Sequence, residues 1–159
     1  FHWLSAAVLI IQIPLGMYLV DMDFSEKRLT IENIHVAVGI SIFYLTILRL
    51  IYKTFNPTPN LNNSIFPGQK IIAKLNHVFL YISILMITIS GALKKLYNGE
   101  ELNMFFFNLE IQDNFELAEI FYEIHILGNY TLIALISLHI FAILIHKILF
   151  KENLLKRIL

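Results

Sequence analysis

Histidines are the residues of this chain best suited to chemistry, and three of the six lie in one apolar stretch. Residues 120–149 read IFYEIHILGNYTLIALISLHIFAILIHKIL and carry His125, His139 and His146. Spacings of 14 and 7 residues return a helical side chain to within about 40° and about 20° of its starting direction, so the three imidazoles share one stripe. The rise from His125 to His139 is about 21 Å, which would place them near opposite edges of a hydrocarbon core about 30 Å thick. Such a helix could hold two stacked metal centres.

A histidine inside a membrane can also do no more than hydrogen-bond to a neighbouring helix. Ionisable residues at such depth are costly and usually functional, and here two of them share a stripe with candidate partners on other segments. We therefore interpret His125 and His139 as metal ligands.

The composition indicates an integral membrane protein. Of 159 residues, 57% are hydrophobic, and the mean hydropathy is +0.68. The length allows about four membrane spans. The chain has no cysteine, which excludes disulfides, iron–sulfur clusters, thiolate ligands and covalent haem attachment within it. Histidine is then the main strong nitrogen ligand.

Four apolar segments predict an all-α, integral membrane four-helix bundle that forms a single membrane domain over residues 1–159. The spans are expected at about 3–20, 34–52, 75–93 and 120–149. The polar segment between the last two contains Met104, Phe105, Phe106 and Phe107. This run would suit an interfacial or surface helix. An ordinary apolar patch against the helix ends is the simpler interpretation, and we prefer it to any substrate-binding role.

Positive charges predict the orientation of the bundle. With both termini on one side, that side holds eight of the twelve Lys and Arg residues and the other side holds four. Because short cytoplasmic loops are rich in Lys and Arg, both termini are expected to be cytoplasmic. The first group is Arg49, Lys53, Lys70, Lys74, Lys147, Lys151, Lys156 and Arg157, and the second is Lys27, Arg28, Lys94 and Lys95. The outer face also carries eleven of the twelve acids, all except Glu152.

The same orientation sorts four histidines into two levels. His35 and His125 each lie a few residues from the outer end of a span. His2 and His139 lie about 18 and about 19 residues in from the outer ends of their spans, or roughly 27 to 29 Å. Two pairs at two depths, each from two helices, predict bis-histidine ligation of two b-type haems, which need two axial nitrogens and a flat apolar slot.

Zinc is the competing metal, because the inner level also offers a set of four histidines: His2, His77, His139 and His146. Zinc takes four ligands in a tetrahedral cluster. That assignment would leave His35 and His125 unexplained, and structural zinc sites usually draw on cysteines, which this chain lacks. We therefore prefer haem.

Two further histidines lie near the inner level. His77 has nearly the depth of His139, so depth alone leaves His77 and His2 as alternative ligands. His146 lies seven residues deeper than His139 and is expected in the headgroup region. There it could hydrogen-bond to a haem propionate or transfer a proton for a quinone, but we prefer the interpretation that it is solvated.

The second span carries two candidate cofactor contacts on the stripe of His35. Arg49, at its inner end, either pairs with a haem propionate or snorkels to lipid phosphates. Gly39, one turn beyond His35, either makes room for a flat cofactor or serves close helix packing.

Several stretches strongly resemble the prokaryotic cytochrome b561 family, whose members are four-helix membrane proteins with two b haems. They are HWLSAAVLIIQIPLG, IHVAVGISIFYLTILRLIY followed by NPTP, LNHVFLYISILMITISG and LHIFAILIHKILFKENLLKRIL. The resemblance implies that His2 and His139 bind the cytoplasmic-side haem and that His35 and His125 bind the outer one. The sequence departs from the family pattern at Thr88, where relatives often carry proline, and at Ile126, where they often carry an acid.

Two haems in line would move single electrons across the membrane, and two function classes remain open. The first is an oxidoreductase that exchanges electrons with quinone; the resemblance implies superoxide as a possible donor and ubiquinone as a possible acceptor. The second is a cytochrome b subunit that relays electrons to or from a protein partner of a larger respiratory complex. The acidic outer face would repel superoxide and attract a basic partner, unless Lys27, Arg28, Lys94 or Lys95 form a local positive funnel. A haem-free structural subunit would leave paired histidines in lipid unexplained.

A quinone would bind near the inner haem. On depth alone, His77, Tyr81 and Lys74 are the candidate residues for that pocket.

Overall fold

The computed structural model describes residues 2–56 and 68–151, and within them the chain forms four long helices. They are α1 (His2–Val20), α2 (Glu26–Phe55), α3 (Gln69–Tyr97) and α4 (Phe115–Ile148). Each is long and apolar enough to cross a membrane, which confirms the predicted all-α, four-helix membrane bundle. The Pro-Thr-Pro segment and the basic tail beyond Lys151 lie outside the described residues.

Polar caps start α2 and α4 well before the expected spans at 34 and 120. The Ser25 hydroxyl accepts a hydrogen bond from the Arg28 amide at 3.2 Å, and the Asn114 side chain accepts one from the Leu117 amide at 3.1 Å. These bonds satisfy first-turn amides that have no partner inside the helix. Each helix therefore extends into a segment that hydropathy alone reads as loop.

The segment between α3 and α4 forms a short antiparallel hairpin. The prediction of an interfacial helix over the Phe run is therefore wrong. Strands β1 (Leu102–Asn103) and β2 (Asn108–Leu109) pair, and the Met104 amide donates to the Phe107 carbonyl at 2.9 Å. Phe105 has a φ of 67°, and its amide donates to the Asn103 side chain at 2.8 Å. A residue in the left-handed region cannot continue a right-handed helix.

The hairpin packs along α2 rather than only against the helix ends. The Tyr44 hydroxyl donates to the Met104 carbonyl at 3.1 Å, and its ring lies 6.4 Å and 6.0 Å from the rings of Phe105 and Phe106. Leu102, 1% exposed, completes a small core with Ile40 and Leu96. The hairpin thus closes the groove between α2 and α3 at one end of the bundle.

Contacts between the helices give the bundle two ends. The beginnings of α1 and α3 meet the ends of α2 and α4, and we call this end the terminal side. The hairpin lies at the other end, which we call the hairpin side. Most large apolar side chains between the ends are exposed, as expected for helices that face lipid.

Candidate functional site

His2 and His139 meet at the terminal side of the bundle. Their ring centroids are 6.3 Å apart, with an angle of 54° between the ring planes. Both side chains are half-buried. The structure thus brings together the first and the last membrane helix through two imidazoles.

His35 and His125 form a second pair on the hairpin side. Their ring centroids are 6.2 Å apart and the planes make an angle of 77°. Both rings line a cavity of about 590 Å³ between the four helices. Its walls are mainly aliphatic, including Leu132 of α4 and Ile42 of α2, so the slot beside this pair is apolar.

The two separations match the geometry of an iron between two imidazoles. A metal–nitrogen bond is about 2 Å long and the ligating nitrogen lies roughly 1.1 Å from the ring centre, so two imidazoles on opposite sides of one metal have centres about 6.2 to 6.4 Å apart. His77 and His139 are closer, at 5.3 Å between centroids, which is too short for that arrangement.

The hydrogen bond of His125 suits a metal ligand. Its Nδ1 lies 2.8 Å from the carbonyl oxygen of Ile87 on α3. The carbonyl can only accept, so Nδ1 carries the proton and Nε2 has a free lone pair. His35 Nδ1 is buried and has no hydrogen-bond partner among the described residues.

Two glycines make room for the second pair of rings. A Cβ on Gly91 would lie 2.8 Å from His125 Cε1, and one on Gly16 would lie 2.9 Å from His35 Cε1. Both distances are shorter than real carbon contacts allow. Gly39, which the sequence singled out, is less constrained, because the nearest atom to its Cβ would be Gln12 Nε2 at 3.6 Å.

A cationic and aromatic cluster surrounds the first pair. Arg49 Nη2 lies 3.1 Å from His2 Nδ1, and the Arg49 guanidinium also lies over the Tyr81 ring at 5.4 Å. Lys53 Nζ approaches the same ring at 5.1 Å. His77 is exposed beside His139, so this part of the cluster is accessible.

His146 is not solvated, contrary to the preferred prediction. It is 8% exposed, and its Nε2 lies 3.1 Å from the Gln69 side chain at the start of α3. The end of α4 packs against α3 here, which covers an imidazole that a single helix would leave in the headgroup region.

The mouth of the large cavity has a nearly balanced charge. Arg28, Lys94 and Lys95 line it together with three acids, Asp21, Glu32 and Glu123. Lys94 pairs with Glu32 at 3.2 Å. Lys95, 8% exposed, pairs with Glu100 at 2.5 Å. Burial alone would raise the pKa of Glu100, but hydrogen bonds from Lys95 and Asn98 lower it below its usual value.

The zinc interpretation gains no support from the geometry. In residues 2–56 and 68–151, no three His, Asp or Glu side chains converge as a metal cluster would require. Pairs of imidazoles, rather than clusters, are the recurring unit.

Sequence reasoning missed three neighbours of the histidines. Asn76 of α3 lies 3.4 Å from His139 Nδ1, and Gln12 of α1 donates to the His35 carbonyl at 2.8 Å. Both are polar residues inside apolar spans, which was a readable signal. The Ile87 carbonyl has no signature in the sequence, since every residue has one.

Comparison with known proteins identifies the family. The sequence profile described as prokaryotic cytochrome b561 matches residues 1–159. The chain belongs to this family.

Two relatives from Escherichia coli (strain K12) agree with the family assignment. Cytochrome b561 homolog 2 is 26% identical over 163 residues, which cover 100% of this chain and 87% of the relative. Cytochrome b561 homolog 1 is 28% identical over 137 residues, covering 85% and 78% of the two chains. As a prokaryotic b561 protein, the chain is a haem b electron-transfer protein of a bacterial membrane.

The glycine at position 91 offers a direct test of the His125 environment. In Gly91→Ala, the new methyl group displaces the His125 ring from the Ile87 carbonyl. We expect haem binding to weaken about tenfold, the usual effect of losing a partner that orients a ligand. The haem content of the purified protein, from its reduced-minus-oxidised spectrum, measures this.

Gly39→Ala is the matched control, because its methyl group makes only an ordinary contact with Gln12. We expect its haem content to stay near that of the wild type. Equal haem loss in both variants would contradict the special role of Gly91.

Proposed function

We propose that this b561 protein binds two b haems, one between His2 and His139 and one between His35 and His125, and carries single electrons across the membrane. The observation that supports this most is the repeated ring separation, 6.3 Å at the terminal side and 6.2 Å at the hairpin side. Each haem supplies a one-electron couple. The chain supplies the axial imidazoles and an apolar slot.

His77 fits a role beside the terminal-side haem better than a role as its ligand. Its ring is too close to His139 for both to bind opposite sides of one iron, and its side chain is exposed. His2 has the required separation from His139. Geometry therefore favours the same ligand as the family resemblance.

Arg49 must release His2 for this ligation. A guanidinium can only donate, so His2 Nδ1 accepts from Arg49 and its proton lies on Nε2. A ligating Nε2 needs the opposite tautomer, with the proton on Nδ1, and that proton would face the cation. Once released, Arg49 stands beside the site as a partner for the propionate carboxylates.

The distribution of Lys and Arg supports cytoplasmic termini in the inner membrane. Of the ten basic residues within 2–56 and 68–151, six lie toward the terminal side and four toward the hairpin side. The His2 and His139 pair is then close to the cytoplasm, and the His35 and His125 pair is close to the opposite face.

We assign quinone exchange to the terminal side, at His77 and Tyr81. His77 is exposed, so a lipid-soluble quinone can reach it, and its ring adjoins that of His139. Full reduction of a quinone takes two electrons and two protons, and an accessible imidazole is a suitable proton donor. Lys74 is exposed one turn before His77 and adds positive charge at this face.

Superoxide is the proposed electron donor at the hairpin side. Two superoxide anions would each give up one electron and leave as O₂, and the two electrons would match one quinone. The outer face has eleven acids against four bases, but the cavity mouth has three of each. Repulsion of an anion is therefore weaker at the opening that leads to His35 and His125 than over the whole face.

The alternative function is a cytochrome b subunit of a larger respiratory complex, without a substrate of its own. The acidity of the face around the cavity favours it, since a basic electron-transfer protein would be attracted there. In that case electrons would enter or leave through the partner, and quinone exchange would depend on it.

Replacing one histidine of each pair tests the ligand assignment. We expect His125→Leu and His139→Leu each to retain one haem per chain where the wild type has two, and the double variant to retain none, because leucine offers no axial nitrogen. Haem and protein are quantified on the same purified sample. Two haems in either single variant would refute the assignment.

Replacing His77 tests the quinone site separately from haem binding. His77→Gln should keep both haems and their spectra but slow quinone reduction by about 100-fold, the typical effect of losing a proton donor. Stopped-flow reoxidation of the reduced protein by a soluble quinone measures the rate. Loss of a haem in this variant would instead identify His77 as a ligand.

Purification from the native membrane decides between the two functions. For the superoxide-linked enzyme, we expect the isolated chain alone to reduce quinone when superoxide is supplied. For the subunit, we expect co-purifying proteins and no such turnover. Lys94→Gln should slow superoxide-dependent reduction in the first case, since it removes a base from the cavity mouth.

A further inference from the structure

Of the three histidines of α4, the two that belong to the pairs, His125 and His139, place Nδ1 against a group on α3, although α3 contributes no residue to either pair. His125 Nδ1 lies 2.8 Å from the Ile87 carbonyl, and His139 Nδ1 lies 3.4 Å from the side-chain amide of Asn76. Helix α3 thus contacts α4 at both levels. It is therefore placed to orient both rings.

The two contacts differ because of one glycine. Gly91, the only glycine of α3, lets the His125 ring approach the α3 backbone closely enough to reach the Ile87 carbonyl. The Asn76 end of α3 has no glycine. A side-chain amide stands there in place of the carbonyl.

Asn76 is otherwise poorly satisfied. Its Oδ1 is buried and has no hydrogen-bond partner among the described residues, while Nδ2 faces His139. The oxygen and nitrogen of an amide exchange places on a half-turn about the last side-chain bond. That turn presents Oδ1, an acceptor, to His139 Nδ1.

The tautomer of His139 decides which atom of Asn76 must face it. With Nδ2 facing the ring, Nδ1 accepts and the proton lies on Nε2, which is then not a ligand. With Oδ1 facing the ring, the proton lies on Nδ1 and the Nε2 lone pair is free for a metal. The amide can serve both states of the imidazole, and a carboxylate or an apolar side chain cannot.

We propose that Asn76 is a positioning residue for the terminal-side haem, whose Oδ1 accepts the Nδ1 proton of His139 when that ring is a ligand. The proposal rests on the proposed function, in which His139 is an axial ligand. Such acceptors hold the ring orientation and make the imidazole a stronger donor, which favours the ferric over the ferrous iron. Asn76 thus raises haem affinity and lowers the potential of this site.

Two substitutions separate the acceptor from the rest of the side chain. Asn76→Leu keeps the branched shape of the side chain and removes the acceptor, whereas Asn76→Asp keeps an oxygen in its place. Thr46→Val is the control, because it removes a buried hydroxyl that donates within its own helix, to the Ile42 carbonyl. The hairpin-side haem is an internal control in every variant.

We expect Asn76→Leu to lose the terminal-side haem about tenfold faster to a haem-scavenging apoprotein. The preference of the terminal-side site for ferric over ferrous haem should also fall about tenfold. This corresponds to a rise of about 59 mV in its reduction potential, since the couple transfers one electron. Asn76→Asp and Thr46→Val should retain this haem as the wild type does. A redox titration that resolves the two haems measures the shift, and the hairpin-side potential should not move.

Two results would overturn the proposal. One is a wild-type potential and haem-loss rate in Asn76→Leu, and the other is equal haem loss in Asn76→Leu and Asn76→Asp. If Asn76→Leu does not accumulate in the membrane, Asn76→Ala provides the same comparison with Asn76→Asp. Retention of both haems in His139→Leu would instead overturn the proposed function, so the two failures are distinguishable.

Discussion

The bundle depends on pairs of imidazole rings that meet at a fixed separation inside lipid. An imidazole in a hydrocarbon environment needs partners for both nitrogens, because no water is present to supply them. A metal between two rings satisfies two of those nitrogens at once. The separations of 6.3 Å and 6.2 Å fit the proposed metal between each pair of rings, and the two pairs join α1 to α4 and α2 to α4.

The remaining nitrogens explain much of the packing around the pairs. His125 donates a hydrogen bond to the Ile87 carbonyl of α3, which Gly91 leaves accessible. His139 faces the side-chain amide of Asn76, also on α3. Small residues are common at helix contacts in membranes, where they allow backbones to approach. Here they admit a ring instead, since Gly16 and Gly91 each lie where a Cβ would overlap an imidazole.

Charge divides the two ends of the molecule. At the terminal side, Arg49 and Lys53 gather around Tyr81 and His2, which gives this end a positive character. At the hairpin side, bases and acids are paired, as in Lys94 with Glu32 and Lys95 with Glu100. The two ends of this electron-transfer protein therefore present different electrostatic surfaces.

The sequence alone determined the membrane class, the number of helices and the levels of the four paired histidines. Hydropathy and helical spacing are properties of a single segment of the chain. They predict the folded structure directly because each span must satisfy its own backbone hydrogen bonds and is therefore helical. Helices α2 and α4 begin before the expected membrane spans, because polar caps extend a helix beyond its apolar part.

Only the tertiary structure decided which neighbours each imidazole has. It showed that His2, and not His77, lies at the distance from His139 that a shared metal requires. It also buried His146 against Gln69 and placed the Phe run in a hairpin beside Tyr44. It also revealed Asn76, Gln12 and the Ile87 carbonyl as contacts. These features depend on the rotation and close approach of helices far apart in the chain. Hydropathy and periodicity describe one helix at a time and carry no information about either.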